Sequence, residues 1–166
     1  YAIVYTVWLK RRTWLNIVFG GLAGSWAVLA GATAADPHLG AVPLALALVL
    51  FLWTPPHFWS LAIAFRDDYA AAGVPMLPVV VGDRRAAQTI FYSTLALVAA
   101  SFVPLAFGLG VVYFVGAATG GFLFIHKAWL LTRDTQRKTA MVCFHASLIQ
   151  LTLVLLAAIV DSQFAS

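Results

Sequence analysis

Four stretches of this chain carry no charged side chain: 13–35, 39–65, 86–126 and 139–160. A spanning helix needs about 20 apolar residues. The third stretch is too long for one crossing, and Pro104, Gly108 and Gly110 mark a tight turn within it. The chain therefore reads as five spans, at roughly 14–34, 42–65, 87–107, 110–131 and 140–160. Ahead of them, Tyr1-Ala-Ile-Val-Tyr-Thr-Val-Trp-Leu9 reads as the end of an earlier apolar helix. A start in mid-segment reads as that of a C-terminal fragment. Membrane β-barrels alternate apolar and polar residues, whereas these runs do not, so helices are expected. The predicted fold is all-α: a polytopic transmembrane bundle forming one membrane domain over 1–166.

Composition excludes the alternatives. Charged residues make up 10% of the chain: ten Lys/Arg, six Asp and no Glu. Soluble domains carry about 25%, so a water-facing surface cannot be built from this set. A net charge of +4 raises nucleic acid as a partner. The basic residues, however, sit in short loops between apolar runs, so no nucleic-acid partner is expected. Cys143 lies inside an apolar run and reads as a small packed side chain.

The positive charges segregate. Lys10, Arg11 and Arg12 precede the first full span. Arg66, Arg84 and Arg85 lie between the second and third. Lys127, Arg133, Arg137 and Lys138 lie in or beside the loop between the fourth and fifth. By parity these loops share one side, and the remaining connections carry no Lys or Arg. The positive-inside rule places the basic loops in the cytoplasm and the C-terminus outside.

The segment 66–85 holds three of the six Asp and three of the ten basic residues. Asp67 and Asp68 follow a helix end at the membrane surface. Adjacent carboxylates repel, which points to a cation between them or a ligand beyond. Mg²⁺ prefers carboxylate oxygens and keeps water or phosphate oxygens in its shell. A Mg²⁺-bound diphosphate flanked by arginine is one use of this set. A solvated loop that supplies topological charge is the other.

His57 lies nine residues before Arg66, about 13 Å into its span. An ionisable group at that depth is a functional candidate. It follows Pro55-Pro56, expected to break the helix, and the carbonyls so freed offer it a purely structural partner. His126 and His145 lie about 10 Å in. Three histidines at one level suggest a bis-histidine haem protein as a rival, but each of these two reads better as an interhelical hydrogen-bonding residue. His38 sits in an outer loop and reads as solvated. Gly20-Gly-Leu-Ala-Gly24 lies inside a span, so helix packing explains it better than phosphate binding.

The stretch 51–79 resembles the second conserved region of protohaem IX farnesyltransferases (haem O synthases), within the UbiA prenyltransferase superfamily. The matching elements are Pro56-His57-Phe58, Arg66-x-Asp68-Tyr69 and Ala72-Gly73-x-Pro75-Met76-Leu77-Pro78. Tyr5-Thr-x-x-Leu-Lys-Arg-Arg-Thr13 and Asn16-Ile-Val-x-Gly-Gly21 match as well, and the resemblance runs along essentially the whole chain. It implies the end of helix 4 and helices 5 to 9 of a nine-helix bundle. It implies a bacterial inner-membrane enzyme that transfers a farnesyl group from farnesyl diphosphate to the 2-vinyl group of haem B, giving haem O. Asp67 and Asp68 would hold Mg²⁺ and the diphosphate. Lys10, Arg11, Arg66 and Tyr69 would bind substrate. His57 would serve the porphyrin or the protonation chemistry. Product handover to a haem A synthase is a further implication.

Two departures stand out. Many superfamily members space two Asp four apart, whereas position 72 is Ala here. Many relatives also have Pro-Pro after the glycine stretch, where this chain has Ala27-Val28. The first acidic motif of the family would lie upstream of Tyr1, so residues 1–166 alone are expected to be inactive. Another UbiA-type aromatic prenyltransferase and a non-catalytic haem-binding subunit remain the alternatives.

Overall fold

The computed structural model describes Thr13 and residues 15–164. Five long apolar helices dominate: α1 (Asn16–Ala35), α2 (Ala41–Ala64), α5 (Asp83–Ala100), α6 (Val111–Arg133) and α7 (Arg137–Ser162). A 3₁₀ turn, Val103–Phe107, extends α5. Each is long and apolar enough to cross a membrane. The five expected spans are all present, with ends shifted by a few residues. Trp26, Val111 and Phe122 are 68%, 77% and 75% exposed on the outside of the bundle, as suits a surface solvated by lipid rather than water.

Two expectations are corrected. The segment 66–85 is no open loop. It folds as two short helices, α3 (Arg66–Ala71) and α4 (Leu77–Val81), and then enters α5, so Arg84 and Arg85 lie in the first turn of that helix. Nor do Pro55 and Pro56 break α2, which runs through both. Each proline removes one backbone donor, but surrounding helices tolerate that loss in lipid.

Small residues set the packing. Lipid gives little hydrophobic drive between helices, so close approach and van der Waals contact must hold them. A Cβ on Gly116 would meet Ala157 Cβ at 2.5 Å, and one on Gly120 would meet Gln150 Cα at 3.0 Å. These two glycines, four apart, let α6 lie against α7. Gly121 faces the other way, with Val98 of α5 at 2.7 Å. On the opposite side of α2, Gly21 of α1 rests on Thr54, and Ser25 Oγ donates to Ala47 O at 3.0 Å. Helix packing, expected for the glycine stretch of α1, is seen at Gly21.

One end of the bundle gathers the start of α1, the end of α2, α3, α4, the start of α5, the end of α6 and the start of α7. All described arginines and lysines lie there or within two turns of it. At the far end, Asp161 of α7 reaches the start of α6 and accepts from the backbone N–H groups of Gly110, Val112 (3.1 Å) and Tyr113 (3.3 Å). A carboxylate there satisfies orphan donors and complements the helix dipole.

Replacing Gly116 by Val should destabilise the fold by about 1–3 kcal/mol through overpacking. Gly31→Ala, at a position with nothing among the described residues within 4 Å, should be neutral or slightly stabilising. Thermal unfolding in detergent separates the two outcomes.

Candidate functional site

The site is built where α2 stops. Phe65, with φ −122° and ψ 31°, leaves helical geometry for one residue, and α3 begins at Arg66. Gly73 (φ +65°) ends α3. Its N–H bonds to Ala70 O at 3.1 Å, and the Val74 N–H bonds to Tyr69 O at 3.0 Å. That pair of bonds is a Schellman motif, whose left-handed position favours glycine. Pro75 then prevents continuation. Pro78 stands in the first turn of α4, and Gly82 (φ +83°) closes it. The Ala-Gly-Val-Pro-Met-Leu-Pro sequence thus encodes a reversal that folds α4 back beside the membrane end of α2.

Successive residues of α3 face different ways because a helix turns 100° per residue. Asp67 and Asp68 line a charged cavity of about 430 Å³ together with Arg66, Asp83 and Arg137. Tyr69 lines a different cavity of about 450 Å³, bounded by α1, α2 and the α3–α4 reversal, where Gly20, Gly24, Leu50, Trp53 and Phe58 supply much of the wall. α3 therefore stands between a polar space and an apolar one. Tyr69 sits on the apolar side.

In the charged cavity, Arg66 Nη1 donates to Asp83 Oδ2 at 3.2 Å. This pair joins the start of α3 to the start of α5. Arg137, the first residue of α7, holds its guanidinium 4.7 Å from the centre of the Phe65 ring, a cation–π contact. Asp67 and Asp68 lie in the first turn of α3, where negative charge suits the helix dipole. No group of three His, Cys, Asp or Glu able to hold a metal occurs among the described residues. The two adjacent carboxylates fit part of a Mg²⁺ shell, which leaves positions for water and phosphate oxygens.

Asp83 and Arg137 are site residues that the sequence reading treated only as loop or topological charges. Each opens a long helix beside this cavity, a placement that only the packing of the helices shows. Arg66, Asp67 and Asp68 all line this cavity. Lys10 and Arg11 lie outside the described residues.

His57 is buried between α2 and α7. Its ring stacks on Trp53 (centroids 4.0 Å apart) and Phe144 (4.5 Å). Nδ1 lies 2.7 Å from Ser147 Oγ. The Ser147 hydroxyl donates its one hydrogen to Phe144 O at 2.6 Å, so it accepts from Nδ1–H. The freed α2 carbonyls are not its partners. Trp53, which donates Nε1–H to Ser147 O at 2.8 Å, stands between His57 and the apolar cavity. The other histidines do not converge on it. His126 is exposed on α6, stacked loosely between Phe122 and Trp129. His145 is exposed and bonds to Met141 O of its own helix at 2.7 Å, not across helices. His38 is 97% exposed beside Asp36.

Ser147→Ala should strand the His57 Nδ1–H and cost about 1–3 kcal/mol. His57→Phe combined with Ser147→Ala replaces both partners by apolar groups and should cost less than the two single changes summed. A double-mutant cycle of unfolding in detergent measures the coupling, and simple additivity would count against this hydrogen bond.

The UbiA prenyltransferase family matches residues 1–149. The chain is 58% identical over 165 residues to protoheme IX farnesyltransferase 2 of Paramagnetospirillum magneticum, covering 99% of this chain and 57% of that protein. It is 53% identical to protoheme IX farnesyltransferase 1 of the same organism, with 99% and 58% covered. It is 46% identical to the protoheme IX farnesyltransferase of Hahella chejuensis, with 97% and 54% covered. The chain thus spans about half the length of the curated relatives it matches. No solved structure matches it.

Proposed function

This chain belongs to the UbiA prenyltransferase family, and from that premise we propose that the longer protein containing it makes haem O from haem B and farnesyl diphosphate. The observation that carries the reading is the 58% identity, over 99% of the chain, to a protein named as a protoheme IX farnesyltransferase. The pairing of a charged cavity with an apolar one across α3 supports it. A substrate with a diphosphate head and a hydrocarbon body needs both kinds of surface.

In the proposed reaction the bond from the allylic carbon to the diphosphate oxygen breaks, and the oxygen keeps the electron pair. The vinyl π electrons bond to the allylic carbon. Water adds to the resulting cation and loses a proton, leaving a hydroxyethyl group. Asp67 and Asp68 would supply carboxylate oxygens to Mg²⁺, which neutralises charge on the departing diphosphate. Arg66 and Arg137 would pair with its oxygens, and Lys10 and Arg11 would approach from the preceding basic segment. Tyr69, Trp53 and Phe58 would line the apolar chamber and keep water from the allylic cation until the new carbon–carbon bond has formed. His57 would act through Trp53, holding that indole at the chamber wall, which makes it a positioning residue.

The same reading puts the protein in the bacterial inner membrane with its basic end in the cytoplasm. Handover of haem O to a haem A synthase would follow from the product's chemistry. An alkaline phosphatase fused after Ser166 should be active, and one fused within 66–85 inactive. The reverse pattern would invert the topology.

The direct test expresses the full-length protein in cells lacking haem O synthase and identifies extracted haem by chromatography and mass spectrometry. Haem O is expected from the parent and is expected to be lost on Asp68→Asn. His57→Ala should lower kcat more than it raises KM for the donor. Haem B alone, from a protein shown to be folded in the membrane, would exclude this acceptor.

A further inference from the structure

A third cavity opens at the basic end, between α5 and α6. It measures about 290 Å³ and is lined by Arg84, Gln88, Phe91 and Tyr92 of α5 and by Trp129, Thr132 and Arg133 of α6. Among the described residues that line it, the two arginines are the only charged ones, whereas the charged cavity under α3 mixes two arginines with three aspartates. The carboxylates nearest to them in sequence are committed elsewhere. Asp83 pairs with Arg66 at 3.2 Å. Asp134 accepts from Gln136 N–H at 3.1 Å and from the Thr139 hydroxyl at 2.6 Å. Among the described residues neither Arg84 nor Arg133 has an acidic partner.

Position along the helices gives the cavity a polarity. Arg84 is the second residue of α5 and Arg133 the last of α6, so both guanidinium groups belong to the membrane surface. Trp129 lies four residues deeper and Tyr92 eight, about 6 and 12 Å toward the hydrocarbon. Tyr92 is 68% exposed and Trp129 43% exposed, both on the outer surface of the bundle. Arg133 stacks over Trp129, its guanidinium carbon 5.3 Å from the ring, so one cation is already held in place. Positive charge at headgroup level above an outward-facing aromatic surface matches one ligand type: a phosphodiester with acyl chains beneath it.

We propose that the α5–α6 groove binds the phosphate headgroup of an anionic phospholipid, with Arg84 and Arg133 on the phosphate and Tyr92 and Trp129 against the acyl chains. Basic pockets between spanning helices hold such headgroups, and each arginine near the surface contributes about a fivefold gain in affinity. The site lies outside the prenyl-transfer machinery and does not depend on the choice of acceptor.

The test uses the purified full-length protein, delipidated in neutral detergent and titrated with phosphatidylglycerol or phosphatidylcholine. Native mass spectrometry counts bound lipid. Phosphatidylglycerol should be retained and phosphatidylcholine lost. Arg84→Gln with Arg133→Gln should weaken retention about twenty-five-fold. Lys127→Gln with Lys138→Gln removes the same net charge elsewhere on this end and should leave retention unchanged. Equal binding of the two lipids, or equal loss in the two double variants, would overturn the proposal. Displacement by inorganic phosphate at matched concentration would do so too, because it would mark a soluble-anion site.

Discussion

In hydrocarbon every backbone N–H and C=O must find its partner within the protein. That constraint makes the spans helical, and it also decides where chemistry can sit. Irregular backbone and charge gather at the helix ends, so the charged half of the candidate site is assembled from termini. Here three termini meet: the end of α2 with its continuation α3, the start of α5 and the start of α7. What brings them together is close packing lower in the bundle. Gly116 and Gly120 let α7 lie against α6, and Gly121 lets α6 lie against Val98 of α5. The meeting of Arg66, Asp83 and Arg137 is thus a distant consequence of missing side chains in the membrane interior.

The described polar groups divide by their commitments. His57, Ser147 and Trp53 are buried and bonded to one another. Asp161 is spent on the N–H groups of α6. Removing one partner from such an arrangement leaves a buried group unsatisfied, which costs more than the bond was worth. At the basic end, by contrast, Asp67, Asp68, Arg84 and Arg133 are exposed and make no ion pair among the described residues. His57, Ser147, Trp53 and Asp161 find their partners inside the fold. Groups at the mouth keep capacity for a ligand.

Much of this was legible in the chain itself. Charge-free runs located all five spans, because a single charge in hydrocarbon is costly enough to be excluded almost everywhere. Parity of the basic loops fixed which ends lie together. α3 and α4 escaped notice, since a helix of five or six residues shows no readable period. Their stops were visible, however, in Gly73-Val74-Pro75 and Gly82. Pro55-Pro56 misled for a physical reason: proline breaks helices in water, where a freed carbonyl has competing partners, but far less often inside a bundle. The contribution of Arg137 to the α3 cavity was not legible, because it depends on how α7 packs against α2, some seventy residues away in the chain. The same holds for the hydrogen bond between His57 and Ser147.

α3 links the two halves of the proposed chemistry. It has six residues, too few to be stable alone, so its neighbours must hold it. Phe65 and Gly73 set its limits, and the Arg66–Asp83 pair ties its first turn to α5. An exposed pair of that kind contributes little to overall stability. Its value is positional, since releasing it would free both the first turn of α3 and one of the two guanidinium groups in the charged cavity. Because Tyr69 sits on the same short helix as Asp67 and Asp68, any shift that draws the carboxylates toward a charged ligand also moves the wall of the apolar chamber. Coupling between head-group binding and enclosure of the hydrocarbon therefore needs no long pathway. It follows from placing both surfaces on less than two turns of helix.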